Sequence, residues 1–595
     1  MLTLLAASLF APLPKLTVNG PDLVDTSGKR VLLKGCNLGN WFVIEPWMLC
    51  LSDGLKDQHE LEHVLGTRFG AAESERLMDL YRSSWITERD FPIIRSFGMN
   101  LLRLPMNYRL MEDDSKPFQL KPDAWKWVDR AIDMAEKHGI YTILDMHGVQ
   151  GGQSEYDHTG HAGQNKLWTV SMNRDRLAWL WTEIARRYRG RSAVVAYDVF
   201  NEPYGGSKPD QVAVFKQCLR AIRKADPDKL VYAMGNWDDF AHYGDPKKNG
   251  WHNVGFQMHY YPGLFGGGDP TVATHARHLR QLDLVARQVK ALNVPFLVGE
   301  MNVVFRSAGD GGMMRRTFDK HASFGWATTM WSYKALSVKG GHGDATWGMV
   351  TNRDAATKID FKTAALSEIE RYMSSFAHQP YEVNADLREA LTSPKPKLPR
   401  LPLLPSPMFS TPYQDRLPGW TVVDLGGSLK GGLRKDKDRI DLFGGGADVW
   451  GALDQCRYIY QSVSGDHTLS ATLTALGDVH GYSKGGLMLR EALRPEAATV
   501  LLTAFPSGEL QMALRERPGD DMKGVSESVK PGFPVELRLT STSGTVIGEW
   551  RKPNGEWKEL GTARFLNAAY AGLIALSHDN RQLVKASYSG LRLNP

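Results

Sequence analysis

Over the first 380 residues, short apolar runs alternate with longer stretches whose apolar positions recur every three or four residues. The short runs predict strands at Val31–Leu38, Asn100–Pro105, Tyr141–His147, Val194–Phe200, Leu230–Gly235, Val254–His259, Phe296–Gly299 and Ala327–Trp331. Between most of them the spacing predicts helices, over Asp123–His138, Arg174–Arg189, Gln211–Ala225 and His275–Leu292. Strand and helix in strict alternation suit an α/β fold with a parallel sheet, and eight such units suit a closed (β/α)8 TIM barrel. No Gly-x-Gly-x-x-Gly follows the first strand, which argues against a dinucleotide-binding sheet.

After residue 412 the texture changes to short, turn-bounded runs without helical spacing, as in His467–Leu473, Gly486–Arg490, Thr499–Ala504, Glu509–Arg515, Val535–Ser541, Thr545–Arg551 and Tyr570–Ser577. That pattern predicts an all-β sandwich, of jelly-roll type. Prolines 394, 396, 399, 402, 405, 407 and 412 crowd the stretch between the two textures. Proline at this density favours an extended, semi-rigid path. The expected division is 1–15 as a signal remnant or N-terminal strap, 16–380 as the barrel, 381–412 as a proline-rich linker and 413–595 as the sandwich.

Composition adds little to this and excludes much. A chain of 595 residues exceeds one hydrophobic core, and 42% hydrophobic with 23% charged residues is ordinary globular usage. The net charge of +6 is spread thinly, so no nucleic-acid partner is expected. Four scattered cysteines build neither a disulfide framework nor a zinc site. No run approaches the length of a membrane helix. Aromatic residues, at 10%, are numerous enough to line a sugar site as well as a core.

The chemistry is expected at the strand C-termini, where barrels of this kind carry it. Strand four ends in Asn201-Glu202-Pro203 and strand seven in Glu300; strand two carries Arg103, strand three His147, strand six His259 and Tyr261, and strand eight Trp331. Two carboxyls facing each other across a barrel mouth satisfy glycoside hydrolysis, one protonated to donate and one ionised to attack. His158 and His161 lack a convincing third ligand for a metal.

These residues resemble glycoside hydrolase family 5, the cellulase-like retaining enzymes, over most of residues 16–375. The resemblance implies Glu202 as acid/base and Glu300 as nucleophile. It places Arg103, His147, Asn201, His259, Tyr261 and Trp331 around the sugar in the −1 subsite, with no cofactor or metal. Within the family, Gly35–Pro46, Ser84–Phe91, His147-Gly148 and Tyr156–Gly160 are similar to the exo-β-1,3-glucanases, which implies Glu45 and Asp157 as ligands of a terminal sugar and Tyr156 as an aromatic clamp. Gly163–Trp168 and Lys334–Trp347 depart from that pattern. The sandwich is similar to concanavalin-like accessory domains of secreted proteins.

The expectation is therefore an exo-acting retaining β-glycosidase, monomeric, secreted or periplasmic, whose partner is a β-linked oligo- or polysaccharide. The rival enzyme is an endo-acting β-1,4-glucanase or mannanase. The rival of another class is a non-catalytic carbohydrate-binding protein.

Overall fold

The computed structural model describes residues 12–595 apart from 52–53, 237–238, 266–269, 304–309, 343–346 and 403–406. The chain divides into two units, Met1–Arg400 and Leu401–Pro595. Most of the expected N-terminal strap lies outside the described residues.

The first unit is a closed parallel barrel of eight strands in sequential order. They are β1 (Lys34–Asn37), β2 (Leu101–Asn107), β3 (Tyr141–Gly148), β4 (Val194–Asp198), β5 (Leu230–Met234), β6 (Val254–Tyr260), β7 (Phe296–Met301) and β8 (Ala327–Met330). Burial on both faces explains their unbroken apolar runs: every residue of β2, β3, β4, β5 and β7 is buried. At the strand N-terminal ends, Leu101, Tyr141, Ile143, Leu230, Leu297 and Ala327 form one cluster with Leu23 and Leu33. Leu13, Leu16 and Val18 pack on it, so the N-terminal hairpin closes that end. The opposite, C-terminal end stays free for chemistry.

The expected linker is corrected at both ends. Tyr381–Val383 pairs with Val350–Asn352, and Ala385–Thr392 is a helix capped by the Asn384 side chain. Arg315 donates to the Ala390 and Ser393 carbonyls and Arg316 to that of Pro399, so the first prolines are strapped to the barrel unit. Met408 bridges to Leu583 and Tyr413 stacks on Phe443, within the second unit. Proline removes an amide donor but leaves its carbonyl, and the Pro399 carbonyl is what Arg316 holds.

The second unit is a sandwich of two seven-stranded antiparallel sheets. Leu469, Leu473, Leu537 and Leu539 from one sheet and Leu487, Leu489, Val500 and Leu502 from the other share its core. The strand His467–Leu476 alternates buried and half-buried positions, as a one-sided strand must. In contrast, Lys484–Arg490 and Thr499–Ala504 are buried throughout. Their second face is covered by another apolar cluster, in which Val449 and Met522 pack over Met488, Leu501, Ala513 and Ile574. Three fully buried arginines are held at this level: Arg490 and Arg515 both grip Asp454, while Arg457 binds Asp415 and Asp424.

Candidate active site

Eight of the residues expected at the strand ends converge on one centre. Arg103, fully buried on β2, organises it. Its Nη1 donates to Glu300 Oε1 at 2.8 Å and to Asn37 Oδ1 at 3.1 Å, and its Nη2 to Asn201 Oδ1 at 2.8 Å. Its Nε donates to Asp198 at 2.8 Å, and Nη2 also lies 3.1 Å from Asp145. A planar guanidinium presents five donors in a fixed fork, and here every side of the fork is occupied. The second Glu300 oxygen accepts from the Tyr261 hydroxyl at 2.6 Å. Both oxygens of that carboxylate are thereby aimed.

Gly299 is required for this packing. A Cβ there would come within 2.1 Å of Gln257 Oε1 and 3.0 Å of His259 Nε2. The glycine lets β6 and β7 approach closely just before Glu300.

Glu202 follows β4 in a left-handed backbone conformation (φ 38°), a region costly for a side chain larger than glycine. Its Oε1 lies 2.8 Å from His259 Nδ1 and its Oε2 3.2 Å from His158 Nδ1. Burial holds the Glu202 carboxyl above its ordinary range, with His158 and Arg103 opposing. His259 Nδ1 is also 3.4 Å from Glu300 Oε2, so one ring nitrogen faces both carboxyls. Burial pulls His259 down to about 3 and it stays neutral at ordinary pH. A nitrogen between two carboxyl oxygens must carry the single N–H, which leaves its buried Nε2 without a partner.

His147 is likewise neutral, pulled down to about 3 by burial. Its Nδ1 lies 2.7 Å from Asp145 and its Nε2 3.3 Å from Asn201 Nδ2. The carboxylate fixes the Nδ1–H tautomer, and Nε2 then accepts from the Asn201 amide. Trp331, buried, stacks on the His147 ring at 5.4 Å.

The three residues of the expected terminal-sugar site lie further out. Glu45 is buried, and its Oε2 accepts from the Trp47 indole at 2.7 Å. Burial raises it well above its usual range, and Asp157, Glu300 and Glu202 all push in the same direction. Asp157 is half-buried and raised by burial. Tyr156 is 54% exposed, with its ring 6.0 Å from that of His158.

Sequence reading missed His158, Asp145, Asp198 and Gln257 at this centre. Asp145 had a signal: in a strand it shares the inward face with His147, two residues on. His158, in the short 3-10 turn Asp157–Thr159, was weighed in the sequence only as a metal ligand and not as a partner of Glu202.

Among the described residues, one group has metal-ligand spacing, and it is Glu202, His259 and Glu300, whose ligand atoms lie within 4.8 Å of one another. His259 Nδ1 faces both carboxyls, and a neutral ring protonated there can donate to either. The arrangement instead suits a pair of carboxyls divided by a neutral donor.

Residues 68–337 match the family model described as cellulase (glycosyl hydrolase family 5). A beta-xylosidase of Phanerodontia chrysosporium is 35% identical over 271 residues, covering 44% of this chain and 56% of that protein. A probable glucan 1,3-beta-glucosidase A of Emericella nidulans is 27% identical over 281 residues, covering 45% of this chain and 66% of the relative. The solved rutinosidase from Aspergillus niger aligns at 18% identity and a TM-score of 0.42, over 51% of this chain and 90% of that one. The chain thus spans little more than half to just under two thirds of the two curated relatives. Within the barrel unit, residues 68–337 are thus similar to the cellulase domain of glycosyl hydrolase family 5.

Proposed function

We propose that the chain is a retaining β-glycoside hydrolase acting on β-glucan or β-gluco-oligosaccharides from their ends. The observation that carries this reading is the Glu202–Glu300 pair, with carboxylate oxygens within 4.8 Å of each other. Retaining enzymes hold their two carboxyls about 5–5.5 Å apart, whereas inverting ones need about 6.5–9.5 Å to admit a water.

In this reading Glu300, aimed by Arg103 and Tyr261, attacks the anomeric carbon. Glu202, kept protonated by burial, donates to the departing oxygen. A water deprotonated by Glu202 then releases the sugar from Glu300. The neutral His259 can bond whichever carboxyl is ionised at each stage. Asn201 Nδ2 can turn from His147 to a sugar 2-hydroxyl, a bond that strengthens as charge develops. Glu45 and Asp157 close the pocket by binding hydroxyls that a longer chain would have substituted.

One relative is named a beta-xylosidase, which favours β-xylosides as a second substrate reading. Aryl β-glucoside and aryl β-xyloside hydrolysis separate the two sugars, and inactivity on both would leave a sugar-binding protein. Products from laminarin, cellulose, mannan and xyloglucan fragments decide linkage; an early ladder of mixed lengths would replace the exo reading with an endo one. A polymeric substrate cannot cross a membrane, so a secreted or periplasmic location belongs to the same reading, and cell fractionation tests it.

A further inference from the structure

Beneath the reacting carboxyls lies a second acidic pair to which the proposed reaction gives no role. Asp145 on β3 and Asp198 on β4 are both fully buried and both grip Arg103. They are register partners on adjacent parallel strands, and they meet the Nη2 and Nε of one guanidinium side by side. Two carboxylates cannot bond without a proton between them, because each is acceptor only.

The rest of the bonding pattern asks for that proton. Asp198 accepts Gln257 Nε2 at 2.9 Å on both oxygens, besides Arg103. Asp145 Oδ2 takes His147 and Arg103, while its buried Oδ1 has no hydrogen-bonding donor. A buried acceptor left without a donor is costly. The charge count agrees: one guanidinium meets Asp145, Asp198 and Glu300, with Glu202 near by. The other groups facing the pair supply no further cation. His147 and His259 are neutral, Gln257 is uncharged, and Tyr232 and Tyr243 stand toward Asp198 with their hydroxyls protonated.

We propose that Asp145 and Asp198 share one proton and act as a positioning pair, presenting a single negative charge to Arg103. Burial supports this by pushing both up to about 7, against the pull of Arg103. With one charge in the pair and one on Glu300, the guanidinium keeps a strong hold on the nucleophile. With two in the pair, it would be drawn down into the barrel and away from Glu300.

The test is infrared spectroscopy of full-length protein carrying 13C-labelled aspartate, recorded at pH 5.5. A protonated-carboxyl band is expected in the wild type and its loss in Asp198→Asn. Asp145→Asn, which keeps an acceptor for Arg103 and His147, should lose the same band and serves if the first variant misfolds. A wild-type spectrum with no protonated aspartate, or a band untouched by either variant, overturns the proposal. This readout needs no turnover, so it stands or falls apart from the glycosidase reading.

The pH profile rests on that reading and gives a second criterion. Replacing a neutral acid by an amide adds no charge, so Asp198→Asn should leave the alkaline limb of kcat/KM in place. If both aspartates were ionised, the variant would remove a negative charge and move that limb down by about one pH unit or more. Such a shift would also overturn the shared proton.

Discussion

Glu202 and Glu300 meet across the barrel mouth with ligand oxygens no more than 4.8 Å apart, and His259 Nδ1 touches both. No room for a separate attacking water exists on the line between them at that distance. The first sugar released should therefore keep the β-configuration, read by proton NMR within the first turnovers. Glu300→Ala should abolish hydrolysis. Glu202→Ala should slow it by about 10²–10⁴-fold on alkyl glycosides and less on aryl ones, whose leaving groups need no proton. An inverted first product would defeat both assignments.

In the proposed mechanism Glu202 must hold its proton to act, and burial raises the pH at which it loses it. Activity should fall as pH rises through that raised value, and Glu202→Gln should lack this limb in its residual rate. Stability falls in the same direction. The folded protein disfavours charged Glu202, so wild type is weaker than Glu202→Gln above the unfolded carboxyl value of about 4.3. The melting temperature of the glutamine variant should exceed wild type at pH 7, with the gain vanishing near pH 4.

Glu45 is an acid raised well above its usual range and bonded to the Trp47 indole. Glutamine preserves that acceptor; alanine leaves the N–H of half-buried Trp47 unmatched and, in the proposed reading, strips a contact from the sugar. Glu45→Ala should lower kcat/KM on short oligosaccharides by about 10–100-fold, the scale of one charged polar contact of about 1.5–3 kcal/mol. Glu45→Gln should lose clearly less. Equal losses in the two variants would remove Glu45 from sugar recognition.

Lys334, buried after Trp331, donates to the Trp85 carbonyl and the Tyr381 hydroxyl. Its ammonium lies 3.6 Å from buried Asp90 and 4.8 Å from the Trp85 ring centre. Removing one partner of such a pair strands the other charge, at a cost of about 3–5 kcal/mol. Lys334→Met should lower the barrel's melting transition markedly, and adding Asp90→Asn should recover part of it. Because Trp331 is three residues away, KM should rise in the single variant as well.

Legibility in the sequence followed how each segment is buried. All eight barrel strands could be found because both faces are covered and the apolar runs are unbroken. The helices Gln58–Phe69 and Ala71–Trp85 escaped: Gln58, Leu61 and Leu65 are the only buried positions of the first, too few to mark a stripe. In the sandwich, Gly432–Asp436 and Arg439–Gly444 were not among the predicted runs, because exposed Arg434, Lys435, Asp436 and Arg439 and the buried charge of Asp441 break the apolar pattern. At the site, residues on strand ends were readable because the barrel converts strand position into location. Asp198 was visible there only as part of a strand; its bond to Arg103 spans 95 positions of chain. His158 reaches Glu202 through a loop, whose path no periodicity encodes.

The doubly covered sheet of the second unit bears on what that unit can hold. A flat polymer is gripped by a sheet that offers an open row of side chains, and Lys484–Arg490 and Thr499–Ala504 offer none. Their outward layer is spent on Met488, Leu501, Val449 and Met522, with Arg490 and Arg515 locked on Asp454 beneath. Adhesion to crystalline glucan through these two strands is therefore foreclosed: their broad side is a floor already carpeted, and a sugar would have to meet other strands or the loop tips.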